Sequence, residues 1–431
     1  MRCLSAFVAA SLLLAVSTFA AVPDLPFTPD LTVALDGSGD FKTVQAALAS
    51  LPADNRERIV ILIKDGTYHE KIRIDAPYVT LRGQSRTGTR IEFPQGREDF
   101  GKKRDDLGFA VVNINADDCV LQNLTIENTH GMIGVHAFAV YGRGDRTVIT
   151  DSDIFSQGND TLSLWNGDTG RYYHARLKVR GSVDFICPRG WCFMRDSEIY
   201  EVNPKASAAI WHDGSKNRDQ KFVLVNCTFD GVAGWRFARH HADAQFYLLD
   251  CTFSAAMRDL APKRVIYPLN DGPATEADIK RNRELDAKNL WGERFYYFNT
   301  HRIGGDYAWH GDNLATAEGS PTPEQITAKW TFAGTWDPEN PVGPTIKSVT
   351  WNQGVATLVF SENVTVKGQP LLATNAGPAH YQSGSGSSKL VFKGVSAHPA
   401  TLQKLDLAGG AIVATEAAAH LRSADLTLPS S

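Results

Sequence analysis

Apolar residues recur along this chain at two different periods. Near the start, D-G-S-G-D-F-K-T-V-Q-A-A-L runs from Asp36 to Leu48 through a Gly-rich turn. Val44, Ala47, Leu48 and Leu51 then fall at helical spacing and predict a short amphipathic helix. R-I-V-I-L-I-K-D-G-T-Y, from Arg58 to Tyr68, predicts a strand ending in a D-G turn, and Y-V-T-L-R-G from Tyr78 predicts another.

A strand-period repeat follows. N-L-T-I, D-S-D-I, H-A-R-L, D-S-E-I, N-C-T-F and D-C-T-F start at Asn123, Asp151, His174, Asp196, Asn226 and Asp250, at spacings of 28, 23, 22, 30 and 24. The second position is small or apolar, the third polar, and the fourth large and apolar: Ile126, Ile154, Leu177, Ile199, Phe229 and Phe253. That is the in-out-in alternation of a strand. Repeats of this length, rich in short strands, predict an all-β fold, a right-handed parallel β-helix in which inward positions stack into ladders. The competing arrangement is an antiparallel sandwich or propeller, which needs hairpin turns that are sparse here.

The repeat fades between about 255 and 340. T-E-A-D-I-K-R-N-R-E-L-D-A-K-N-L, from Thr275, reads as a charged helix, and W-G-E-R-F-Y-Y-F-N-T, from Trp291, is aromatic-rich. From about Thr345 charge falls and Gly, Ser, Ala and Thr rise, with V-A-T-L-V-F and K-L-V-F-K-G-V as strands. The expected organisation is a β-helix over 22–341 and a small Ig-like β-sandwich module over 345–431.

Hydrophobic residues make up 43% of the 431, so a sizeable packed core is expected. The net charge of −4 leaves no basic excess for nucleic acid. M-R-C-L-S-A-F-V-A-A-S-L-L-L-A-V-S-T-F-A is one Arg, an apolar run and small residues: a secretory signal over 1–20, cleaved after Ala20 or Ala21. No later stretch is long and apolar enough to span a bilayer, so an exported monomer without a membrane anchor is expected. Cys3 leaves with the signal, and Cys119, Cys187, Cys192, Cys227 and Cys251 remain, an odd number. Cys187 and Cys192 close a short loop that a disulfide would clip in an oxidising compartment. No Cys or His cluster has zinc spacing, and neither metal nor cofactor is expected.

His136, Asp160 and Asp184 lie 24 and 24 residues apart. Asp160 is nine residues past Asp151 and Asp184 ten past His174, which places both on one face a coil apart. Two carboxylates so close do not both ionise easily. One carboxylate and one carboxylic acid make a nucleophile and a general acid. Aspartate is also common in β-helix turns, so the spacing alone leaves a structural role open.

G-S-V-D-F-I at Gly181–Ile186, N-D-T-L at Asn159–Leu162 and the opening D-G-S-G-D-F-K-T-V-Q-A-A-L together resemble the pectin methylesterase family of carbohydrate esterases. The likeness runs from about Leu31 to Asp337, in family order and at near-family spacing. It implies a right-handed parallel β-helix that demethylates the galacturonate methyl esters of pectin without metal or cofactor. It implies that Asp184 is the nucleophile and Asp160 the general acid and then base. The family's orienting arginine in G-R-P-W best matches A-R-H-H, giving Arg239, with His241 at the tryptophan position; Arg236 in W-R-F fits less well on spacing.

The departures fall on the oxyanion donors. Where the family has Gln in Q-A-V-A and in Q-D-T, this chain has His136 and Asn159, both able to donate a hydrogen bond. P-R-G-W-C from Pro188 replaces a Gly-Asn-Ala stretch beside the nucleophile. Trp165, Tyr172, Trp191 and His241 are candidates to line a groove for the sugar polymer. The alternatives are an esterase or thioesterase acting on another acyl ester, and an inactive carbohydrate-binding β-helix.

Overall fold

The structure is a computed structural model that describes residues 29–415 apart from 206, 214–216, 270–271, 340–343, 345, 395–401 and 409. The expected signal segment, residues 1–20, lies outside the described residues, as does nearly all of the expected boundary at 341–345.

From Ile59 to Arg302, consecutive strands do not pair with one another; they are dealt in turn to three sheets. Thr147–Thr150, Asp153–Ser156 and Leu162–Trp165 make one coil, and Arg171–Ala175, Lys178–Gly181 and Ile186–Arg189 make the next. Each strand pairs in parallel with its counterpart one coil away, giving sheets of ten, nine and eight strands among the described residues. The body is therefore a parallel β-helix. The alternation of inward and outward side chains builds its interior. Ile126, Ile154, Val179, Ile199, Phe229 and Phe253 stack in register in one sheet, and Val140, Leu162, Ile186, Ile210 and Ala238 in another. All are buried in one continuous core.

One repeat is registered differently from the sequence expectation. Asn123, Asp151, Asp196, Asn226 and Asp250 all take left-handed φ of 51–56°, the bend that leads into the repeat's strands in the nine-stranded sheet. In the third repeat that bend falls on Arg176, φ 55°, not on His174, and Val179, not Leu177, stands in row with Ile154. A two-residue slip keeps every side chain on its own face, so the apolar pattern alone does not detect it. Asn and Asp tolerate the left-handed region, and an arginine there gives no such signal.

The predicted first helix is Val44–Ala49; Thr43 caps it, its hydroxyl accepting from the Ala46 amide at 3.2 Å, and Val44, Ala47 and Leu48 are buried. The charged segment forms the helix Glu276–Asp286, opened by reciprocal hydrogen bonds between Thr275 and Asp278. Leu314, Ala317, Ile326, Phe332 and Trp336 lie over the outer face of the ten-stranded sheet, covering Tyr173, Phe193 and Tyr247. The C-terminal strands form an antiparallel sheet with its own core, including Leu358, Phe360, Leu390, Phe392 and Ile412.

This sheet is bonded to the first coils of the β-helix. The buried Arg58 guanidinium donates to the carbonyls of Asp118 at 2.6 Å and Thr415 at 3.2 Å. Lys367 Nζ donates to the Arg58 carbonyl at 2.9 Å and pairs with Asp30 at 2.6 Å.

Candidate active site

Asp160 and Asp184 occupy the same turn in successive coils, each two residues before a strand of the eight-stranded sheet. Leu162 pairs with Ile186, which sets one aspartate a coil above the other. Both adopt left-handed backbone, φ 59° and 51°. Their amides are held by the next coil: Asp160 N donates to Val183 O at 3.1 Å and Asp184 N to Ala208 O at 2.8 Å. A left-handed turn at the sheet's edge suits Asp and Asn better than other non-glycine residues. Each carboxylate is 12% exposed, so both are largely desolvated.

Arg239 distinguishes the two. Its Nε donates to Asp184 Oδ1 at 2.9 Å and its Nη2 to Asp184 Oδ2 at 2.6 Å. The strand Arg236–His240 that carries it pairs with Ala208–Trp211, and the guanidinium lies 5.3 Å from the centre of the Trp211 ring. Burial leaves the Asp184 carboxyl above its ordinary value, with the Arg239 hydrogen bonds and charge pulling against it. Asp160 is pushed up to about 8, first by burial and then by the charge of Asp184, against Arg189, Arg97 and Arg239. A bidentate guanidinium favours the charged form of its partner. The anion therefore sits on Asp184 and the proton on Asp160. Arg236, on the same strand, is half-buried near Asp184 and forms no such fork.

His136 is one place out of the expected ladder. It bridges in parallel with Asn159 rather than Asp160. Its ring still reaches the acid: Nε2 lies 3.6 Å from Asp160 Oδ2, and Nδ1 is 3.1 Å from Glu98 Oε1. The Asn159 amide is largely committed to the frame. Its Oδ1 accepts from Ser182 Oγ at 2.7 Å and Val183 N at 3.3 Å, and its Nδ2 donates to Gly134 O at 3.2 Å. Asn159 thus holds the two residues that precede Asp184, and one amide hydrogen is left to donate elsewhere.

Trp165 and His241 stand beside this centre. The Trp165 ring has two cations near it, Arg189 at 4.4 Å and Arg97 at 6.0 Å from its centroid, and packs edge-on against Phe138 and Tyr141. His241 packs edge-on against Trp211 with ring centres 4.1 Å apart, and its Nε2 lies 2.6 Å from the Tyr267 hydroxyl. Burial pushes the His241 imidazole down to about 4, so it is neutral.

Two of the aromatic candidates lie elsewhere. Tyr172 is fully buried in the coil interior with its hydroxyl at the Asn166 backbone, so it cannot touch a polymer. Trp191 packs with the cluster outside the ten-stranded sheet, under the 314–336 segment. The strand alternation turned Tyr172 inward, and the wall bends between Arg189 and Trp191, moving the latter into a different sheet.

The expected Cys187–Cys192 disulfide is absent: both are free, buried thiols. Cys187 packs outside the coil with Trp211, Val265, Trp165 and Tyr267, and its sulfur accepts from Trp165 Nε1 at 3.2 Å. Cys192 packs inside, in the central core. A short loop in sequence thus separates two thiols on opposite faces of the wall. Burial pushes both thiols well up, so neither is a thiolate.

Glu98, Arg97, Arg189, Trp211 and Tyr267 also belong to the site and were not legible as such. Glu98 and Arg97 sit on the short helix Arg97–Lys102, and Tyr267 in a loop beyond the last full repeat. Neither has a repeat phase that would place it. Arg189 and Trp211 do lie on strands of the eight-stranded sheet, and correct registration of the repeat would have aligned them with Trp165 and Arg239.

The family model described as Pectinesterase matches residues 30–248, just over half of the 431-residue chain. A pectinesterase of Petunia integrifolia is 31% identical over 205 residues, covering 46% of this chain and 53% of its own. Probable pectinesterase 49 of Arabidopsis thaliana is 28% identical over 204 residues, covering 46% and 54%. The chain spans about half the length of these relatives. Among solved structures, a pectin methylesterase from carrot superposes with a TM-score of 0.56 at 20% identity, covering 72% of this chain and 95% of that one. The pectin methylesterase PemA from Erwinia chrysanthemi gives 0.55 at 20%, covering 72% and 99%. These two likenesses concern the parallel β-helix. The match of the family model over more than half of its residues places this chain in the pectinesterase family.

Proposed function

We propose that this protein is an exported esterase that hydrolyses the galacturonate methyl esters of pectin to pectate and methanol. The observation that carries the reading is the division of labour between two stacked aspartates. Asp184 is gripped by both nitrogens of Arg239, and Asp160, one coil away, is pushed up to about 8. That pair supplies a carboxylate nucleophile and a carboxylic acid at neutral pH.

Asp184 Oδ attacks the C6 ester carbonyl, and the tetrahedral oxyanion forms within reach of His136 and the remaining Asn159 amide hydrogen. The C–O bond to methoxide breaks as Asp160 gives it a proton, releasing methanol and leaving an acyl anhydride on Asp184. Asp160, now ionised, takes a proton from water as the hydroxide adds to the acyl carbon. Asp184 leaves as carboxylate, and the galacturonic acid product loses its proton to solvent. Arg239 favours both states in which Asp184 is an anion.

Trp165, with Arg189 over its ring, and His241 are the half-buried side chains beside the pair that would meet the sugar. Exposed Met132 and Ile133 lead into His136, and exposed Ile266 precedes Tyr267. These apolar shoulders suit a polymer whose carboxyls carry methyl groups. Residues 1–20 would direct export, and the mature chain would act as a monomer.

The test is methanol release from highly methylated pectin, with Asp184→Asn as the control because Asn keeps the left-handed turn. Release by the wild type at least about 10³-fold above the variant is expected. Equal release would sink the reading, and turnover of a different acyl ester by the wild type alone would move it to another esterase.

A further inference from the structure

His136 faces charged groups from each element packed against it. The helix Arg97–Lys102 brings Glu98, whose Oε1 lies 3.1 Å from Nδ1. The same helix bonds the His136 backbone, Arg97 N donating to His136 O at 2.8 Å. The turn of the next coil brings Asp160, 3.6 Å from Nε2, and Asp184 lies one coil further on. Asp99 on the helix is occupied with His130 at 3.4 Å.

The tautomer follows from the Glu98 contact. Burial is the largest single influence on the Glu98 carboxyl and raises it, but its backbone amide at the helix start, His136 and Arg97 together hold it below the usual carboxylate range. An ionised carboxylate only accepts hydrogen bonds, so Nδ1 carries the hydrogen. A neutral imidazole then has a bare lone pair at Nε2, the nitrogen that looks into the site. At 3.6 Å it is too far from Asp160 for a hydrogen bond, which leaves it turned towards the reacting centre. A bare lone pair repels a developing oxyanion; only the imidazolium presents N–H there. The Asn159 amide, tied to Gly134, Ser182 and Val183, leaves this duty largely to His136.

We propose that Glu98 is the positioning residue of the oxyanion site: it locks the His136 tautomer, so that His136 stabilises the oxyanion only as imidazolium. This rests on the esterase reading above. His136 is then a donor whose N–H towards the site depends on its protonation, unlike the amide of a glutamine or asparagine.

Two measurements test it. Nitrogen-15 NMR of histidine-labelled protein reads the tautomer without turnover. The neutral form of His136 is expected to carry its hydrogen on Nδ1, and Glu98→Ala to bring up the Nε2–H form. A wild-type neutral form with hydrogen on Nε2 overturns the proposal. The second is the pH profile of kcat for methanol release. As pH rises, the wild type is expected to lose kcat more steeply than either His136→Gln or Glu98→Ala. His136→Gln keeping the wild-type slope overturns the proposal while leaving the esterase intact. Absence of wild-type methanol release above Asp184→Asn would instead sink the esterase reading, and the NMR result would still decide the Glu98–His136 pair. Both side chains are substantially exposed, 57% and 41%, so the substitutions spare the core.

Discussion

Arg239 donates from Nε and Nη2 to the two oxygens of Asp184, at 2.9 and 2.6 Å, and has no hydrogen bond to Asp160 one coil away. This asymmetry makes two aspartates with the same turn, the same backbone conformation and the same exposure chemically unequal. Arg239→Lys keeps the charge and loses the fork, because an ammonium is a point charge that cannot match both oxygens. A loss of about 10²-fold or more in kcat is expected, with a smaller change in KM; an unchanged kcat would show that charge alone suffices.

The proton on Asp160 is expected to titrate at about 8 by carbon-13 NMR of its carboxyl. Burial is the first cause, and the Asp184 charge the second. Asp184→Asn removes a like charge and should lower the value; Arg189→Gln removes a cation that holds it down and should raise it. Shifts of opposite sign to these would refute the account of the pair.

Glu201 is buried in the coil, its Oε1 accepting from Asn203 N at 2.8 Å, and burial pushes it up to about 9. Its native state keeps a proton that the unfolded chain gives up near 4.5. Stability therefore falls as pH rises from the unfolded value towards the folded one, at up to about 1.4 kcal/mol per pH unit. Glu201→Gln is expected to raise Tm at pH 8 and to lose most of that advantage near pH 5, measured by calorimetry at both pH values.

His174 behaves in the opposite sense. It stands in the interior row between Ile149 and Met194, and burial pushes it down to about 3. The folded chain keeps it neutral while the unfolded chain protonates below about 6.5, so its penalty grows as pH falls through that window. His174→Met, which extends the row with the residue next in it, should raise Tm at pH 4.5 by a few degrees and change it little at pH 8. Equal shifts at both pH values would assign the effect to packing instead of protonation.

The β-helix was legible because its signal is local. Ile126, Ile154, Ile199, Phe229 and Phe253 face inward on a period of two, and Asn or Asp marks most of the left-handed bends. The register was less legible: Arg176 carries a bend that Asn or Asp carries elsewhere, and the error of two residues left no trace in the apolar pattern. The same limit explains Tyr172 and the cysteines. Whether a side chain ends on the inner or outer face depends on where the wall bends, and Cys187 and Cys192 flank a bend.

From the chain alone, then, came the stack of Asp160 over Asp184, because a repeat returns equivalent residues to the same face, while Arg239 came from the likeness of A-R-H-H to the family's motif. The resemblance implied which aspartate is nucleophile and which is acid; tertiary structure supplied the physical cause, the Arg239 fork on Asp184 and the burial of Asp160. Tertiary structure alone decided that His136 answers to Glu98, 38 residues away, and that Asn159 braces the turn before Asp184. Charge and proton placement depend on desolvation and on hydrogen-bond geometry across coils and loops, and neither has a period that a sequence can display.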